Sequence, residues 1–263
     1  MTPWVAPRRR AETLRERYPF AAEQLTLYIG LVDVWERAWE AAGAENPANL
    51  AGWAARRVFP EVVATTREHS PTPIRPVSDL GAAEAMLKAW LSGEELVPLE
   101  RYLARATLRG PLAAVDVEAA CAADPAPRGD RRCPRCGGPP QLSFRSETGD
   151  SLVSGHRKLQ CARCAESWSF SSSSCAYCGE SDKRTVYTEH RDGPQVGRAA
   201  AGDAMFPHIR VEACARRERY LIDVDLGRDP RAVPEVDELA ALPLDLYAAE
   251  RGLSKITPNV LGV

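Results

Sequence analysis

No apolar run in this 263-residue chain approaches the roughly 20 residues needed to cross a bilayer, so no membrane helix is expected. Its opening, Met1-Thr2-Pro3-Trp4-Val5-Ala6-Pro7 followed by three arginines, lacks the apolar core of a secretory signal. Without an export signal the eight cysteines should face a reducing cytosol, where metal binding is favoured over disulfides. A cytoplasmic protein is expected. An excess of one charge is also missing: 34 Lys+Arg stand against 36 Asp+Glu. Residues 131–220 are mildly basic, with 15 Lys+Arg and 10 Asp+Glu, but they hold no dense basic cluster interleaved with aromatics. Histidine is nearly absent from the first half, and the carboxylates there lie along solvated helix faces. No catalytic constellation is visible, and an enzyme is not expected.

What is present is the composition of a soluble globular protein, 44% apolar and 27% charged, long enough for two domains. Leu25, Tyr28, Leu31, Val32, Trp35 and Trp39 recur at helical spacing and predict a core-facing helix over 21–42. Asn46-Pro47 reads as the start of a second helix, and Pro60 opens a third that ends near His69. The prolines of 70–76 predict an extended connector. Ser78 is expected to cap the next helix, which Gly93 stops. Pro98 and Gly110 should bracket another, and Pro111 to Ala123 a last one. Cys121, unpaired in that segment, reads as a small buried residue.

The chain changes character at Cys133. Cys133-Pro134-Arg135-Cys136, Cys161-Ala162-Arg163-Cys164 and Cys175-Ala176-Tyr177-Cys178 are three pairs at the spacing of a metal knuckle, and Cys214 follows alone. Two of the pairs precede a glycine, as a turn with positive φ requires. Gln141–Arg145 and His156–Gln160 flank Thr148-Gly149-Asp150 and predict a hairpin, with a third strand at 168–170. The hairpin would return Cys161 and Cys164 beside Cys133 and Cys136 as one four-thiolate site. Pairing the first knuckle with the third is also arithmetically possible, but its longer loop costs more entropy.

A second unit repeats the pattern with a strand at 185–188, an exposed loop from His190 to Ala204, and strands at 208–211 and 220–224. Its arithmetic falls short, because Arg217 stands where a fourth cysteine is expected and a guanidinium has no lone pair for a metal. Cys175, Cys178 and Cys214 therefore form an incomplete site 2, expected to be weak or empty. His208 or Cys121 as a fourth ligand, and an open three-thiolate site, remain alternatives.

The expected fold is α+β: an α-helical domain (1–123), a linker (124–132), tandem rubredoxin-like or zinc-ribbon β units (133–174 and 175–228), and a C-terminal helix with its tail (229–263). Pro243 should divide that helix, and the tail should pack on the helical domain.

Taken together, CPxCGG, CxxC-x-ESW, CxxCGE, Phe206–Cys214, Asp229–Ala240 and Thr257–Gly262 resemble the formate dehydrogenase accessory proteins called FdhE. The resemblance implies a cytoplasmic maturation factor that binds the catalytic subunit of a molybdenum- or tungsten-dependent formate dehydrogenase before assembly or export. It also implies that Cys133, Cys136, Cys161, Cys164, Cys175, Cys178 and Cys214 are metal-binding, with Arg217 replacing the family's usual eighth cysteine. One zinc or iron ion is expected at the first site, since four thiolates suit both. A nucleic-acid-binding zinc ribbon is the alternative, using the basic excess with Tyr177, Trp168 and Phe170. A dithiol redox enzyme fits less well, because its cysteine pair belongs at a helix N-terminus.

Overall fold

The computed structural model describes residues 2–70, 79–121, 129–146, 156–188 and 204–262. Among the described residues seven α-helices build the first half: α1 (Val5–Arg17), α2 (Ala22–Glu45), α3 (Leu50–Arg57), α4 (Phe59–His69), α5 (Leu80–Ser92), α6 (Pro98–Leu112) and α7 (Val117–Ala120). The apolar stripe of α2 is buried as its periodicity requires, with Leu25, Tyr28, Leu31, Val32 and Trp35 all inside. Helix α1 is one that the sequence reading did not assign. It hides little apolar surface of its own, and one of its four buried residues is Arg10, so no stripe announces it.

Three boundaries differ from expectation. Asn46 closes α2 in the left-handed conformation (φ 42°), and Asn49 caps α3 by accepting from the Gly52 N–H. Asparagine tolerates both roles, so spacing alone does not separate them. Helix α6 does not stop at Gly110 but runs through Pro111 to Leu112. Gly110 is needed for packing instead: a Cβ there would lie 2.5 Å from the Trp35 carbonyl oxygen of α2. The Trp35 indole N–H donates to the Ala106 carbonyl (2.6 Å) across the same crossing. Helix α5 is capped by Asp79, whose carboxylate accepts from Gly81 and Ala82, and Gly93 ends it at φ 86°. Ser78, the 71–76 stretch, the 148–150 turn and most of the 190–204 loop lie outside the described residues.

The second half is one sheet. Strands β1 (Pro140–Arg145), β2 (Arg157–Cys161), β3 (Ser167–Ser169), β4 (Arg184–Tyr187), β5 (Ile209–Cys214) and β6 (Arg219–Asp225) lie in the order β3-β2-β1-β6-β5-β4, and β7 (Ser254–Lys255) also pairs with β6. Each ribbon is an antiparallel meander. They join where β1 runs parallel to β6, Ser143 opposite Asp223. Helices α8 (Pro234–Ala240) and α9 (Leu242–Glu250) follow, divided before Pro243 as expected.

Alternation along the strands sorts the two faces. Ile209, Val211, Ala213, Tyr220, Ile222 and Val224 join the helical residues in one buried cluster. The other face carries a smaller core of Leu159, Phe170, Ala176 and Leu221, beside a buried ionic network. In that network Glu212 takes Arg145, Arg157 and Arg184, while Asp223 takes Ser143, Arg145 and Arg210. The partners come from β1, β2, β4, β5 and β6, so the network ties the two ribbons together.

The tail packs as expected. Arg105 of α6 donates to the Pro258 and Asn259 carbonyls (2.5 and 2.8 Å). No helix of the described residues is long and apolar enough to cross a membrane.

Candidate metal centre

The turn that follows each first cysteine is built the same way four times. The Cys133, Cys161 and Cys175 N–H groups donate to the carbonyl five residues on, at 3.0, 2.8 and 2.8 Å. Four residues on, the backbone turns left-handed: Gly137 at φ 71°, Ala165 at 58°, Gly179 at 80° and Glu218 at 51°. Glycine takes this conformation without strain, while Ala165 and Glu218 are held there by their surroundings. Gly138, Arg163 and Tyr177 each point a backbone N–H at the sulfur two residues back, at 3.3–3.4 Å. Such bonds favour thiolate over thiol.

Hairpin β1–β2 brings the first two turns face to face. Cys133 Sγ lies 3.6 Å from Cys164 Sγ, and Cys136 Sγ 3.4 Å from Cys161 Sγ. All four sulfurs lie within 4.8 Å of one another. A tetrahedral ion with metal–sulfur bonds of about 2.3 Å needs sulfurs roughly 3.8 Å apart. The site therefore fits a tetrahedral divalent ion with slight opening, and its donors are the soft ones that zinc and iron share. The first and second knuckles pair sequentially, and Arg135 of one bridges to Glu166 of the other (3.1 Å). Gly138 backs the cluster, since a Cβ there would sit 2.8 Å from Cys161 Sγ.

The packed thiols share protons unevenly. Cys136 pushes Cys133 up, but the Cys161 and Cys164 thiols outweigh it and hold Cys133 at about 7. Cys136 is held well below the usual thiol value by hydrogen bonds from Cys121 and Cys133. Burial drives Cys161 up, and the hydrogen bonds of Cys133 and Cys136 drive Cys164 up. Cys121 is thus a fifth sulfur beside the first cluster, an arrangement that its isolation in sequence hides. It does not supply the second site.

That second set, Cys175, Cys178 and Cys214, also lies within 4.8 Å, with Cys178 and Cys214 sulfurs 3.7 Å apart. Among the described residues it has three thiols and no fourth donor. Arg217 stands on a knuckle backbone that is otherwise intact. Burial pushes Cys178 up, but the Glu180 N–H, the Cys214 and Cys175 thiols and the Arg217 charge together bring it below its ordinary value. Burial raises Cys175 to about 11. His208 is committed elsewhere: its Nε2 lies 2.8 Å from Asp237 Oδ1. His208, Asp229 and Asp237 also form a compact group, but Arg10 bonds both carboxylates and occupies the cation's place. The sequence carries no glycine at Ala165 or Glu218 to mark these left-handed positions, so the fourth turn is visible only in the structure.

No protein-family model matches the chain. Its sequence is 30% identical over 132 residues to an FdhE homologue of Aquifex aeolicus, covering 49% of this chain and 41% of that protein. FdhE homologues of Pseudomonas aeruginosa and Pseudomonas putida are 32% and 34% identical over 129 and 130 residues, 49% of this chain and 38% of each relative. The matched stretch is thus well under half of each relative's own length. The crystal structure of the P. aeruginosa FdhE protein has a similar fold, with a TM-score of 0.60 at 20% identity over 98% of this chain and 94% of that one. The resemblance carried by the cysteine motifs is borne out in sequence and in fold.

Proposed function

We propose that this chain, FdhE-like in its fold and in half of its sequence, is a non-catalytic accessory protein for a molybdenum- or tungsten-dependent formate dehydrogenase. It works in the cytoplasm and binds the catalytic subunit before that subunit is assembled or exported. The observation that carries this reading is the four-thiol cluster of Cys133, Cys136, Cys161 and Cys164, set on a sheet fused to a helical half in the FdhE arrangement.

When bound, zinc supplies a redox-silent cross-link and iron one that can also change oxidation state. The chain's own residues do the rest. The backbone N–H groups of Gly138 and Arg163 orient two of the sulfurs. Gly138 excludes bulk from behind the cluster, and the Arg135–Glu166 pair holds the two turns in register. The site 2 thiols, lacking a fourth donor, hold metal weakly or not at all.

Deletion in the host tests the role. A strain lacking this gene and any paralogue should lose formate dehydrogenase activity while still making the catalytic polypeptide, and the chain supplied in trans should restore it. Unchanged activity in the deletion strain overturns the reading.

A further inference from the structure

A cleft of about 580 Å³ lies where the helical half, both ribbons and the tail meet. Trp90 of α5 and Arg101 of α6 line it from the helical side. From the other side come Arg163, between Cys161 and Cys164, and Tyr177, between Cys175 and Cys178. Thr257 of the tail is also in its wall. Both cysteine units thus contribute a residue from between paired sulfurs to one concave surface.

Its charge is unbalanced. Among the described residues that line it, Arg101, Arg131, Arg132 and Arg163 face Glu94 and Glu95 as the only carboxylates. Some arginines elsewhere in the chain, Arg10, Arg109 and Arg145 among them, are answered by carboxylates. These four are not, among the described residues. Arg131 donates to the Tyr177 carbonyl and Arg163 to the Cys136 carbonyl, and the Arg163 guanidinium lies over the Trp90 ring, 5.6 Å from its centroid. Three polar atoms of these lining residues are sealed behind the surface with no hydrogen-bond partner among the described residues: Trp90 Nε1, Arg163 Nε and Thr257 Oγ1. Each belongs to a residue more than nine-tenths buried. Two of the three are pure donors, and an unmet buried donor calls for an acceptor.

We propose that this cleft docks an extended acidic segment of the client polypeptide. Carboxylate side chains answer Arg101 and Arg132, and apolar residues lie against Tyr177. A compact inorganic anion would leave most of the cleft unfilled. The proposal rests on the accessory reading above and adds the place and chemistry of docking.

The test uses the full chain, zinc-loaded, and fluorescein-labelled overlapping 15-residue peptides spanning the host's formate dehydrogenase catalytic subunit. Anisotropy should identify peptides that carry Asp or Glu beside apolar residues. Arg101→Glu and Arg132→Glu should each weaken them on the order of tenfold, with an unchanged unfolding midpoint, and should weaken capture of the intact subunit in parallel. Arg67→Glu, an equal charge change at an exposed position of α4, should change neither. If the intact subunit is captured equally well by wild type and both cleft variants, the docking site is wrong and the accessory role stands. If wild type captures neither peptide nor subunit, both are wrong.

Discussion

Nε2 of His208, at the entry to β5, lies 2.8 Å from Oδ1 of Asp237 in α8, and Arg10 of α1 bonds the same carboxylate. Asp237 also accepts from the Val233 N–H (2.8 Å), so one buried side chain joins three elements distant in sequence. Removing it leaves the buried Arg10 guanidinium with Asp229 as its remaining carboxylate and takes the partner from His208. Asp237→Ala should cost about 3 kcal/mol, read by urea unfolding. His208→Ala should lower stability but leave the metal content unchanged, because His208 is not a ligand. A loss of bound metal in that variant, measured by inductively coupled plasma mass spectrometry, would favour the alternative in which His208 is a ligand.

The first thiol cluster should hold one ion per chain. Cys161→Ser should remove it and lower the unfolding midpoint, since metal binding energy adds to folding energy. Wild type treated with a strong chelator should fall to the same midpoint. Two tightly held ions per wild-type chain would refute the reading that the second set is weak.

Arg217 sits on a turn whose backbone matches the other three, with Glu218 already left-handed. Arg217→Cys should therefore complete a tetrahedron with Cys175, Cys178 and Cys214, and the metal content should rise toward two per chain. Arg217→Ala, which removes the charge without adding a sulfur, should leave stoichiometry at one. Equal stoichiometry in both variants would mean that the three thiols are not poised for a fourth.

Burial pushes Asp223 up, but Arg210 and Arg145 outweigh it and hold the carboxylate below its ordinary value. A depressed folded-state value contributes stability above the unfolded value of about 3.9, and the contribution is lost as pH falls through the folded value. Asp223→Asn should thus cost about 3 kcal/mol at pH 7, and its gap from wild type should narrow as pH drops from about 4 toward 2. Comparing the two chains at each pH cancels acid release of metal, which both undergo. A gap that holds constant over that range would deny the network its ionic character.

Gly110 meets the α2 backbone rather than ending a helix. Gly110→Ala gains helix propensity but forces a methyl into the Trp35 carbonyl, and overpacking of this kind costs about 1–3 kcal/mol. Thermal unfolding should show a lowered midpoint. A raised one would mean that the crossing relaxes freely.

Local chemistry alone determined the knuckles, because two intervening residues and a following turn place two sulfurs whatever surrounds them. Periodicity likewise determined the buried face of α2, and the sequential closure of the first site follows from its loop being shorter than the one that pairing the first knuckle with the third would need. Arg10 in the core, Cys121 beside Cys136, the parallel join of β1 to β6 and the cleft between the halves were decided by tertiary structure. In each of these the partner lies far along the chain or the residue type is ambiguous by itself. A buried arginine or a helical glycine reads as surface or as an end until the element packed against it is in place.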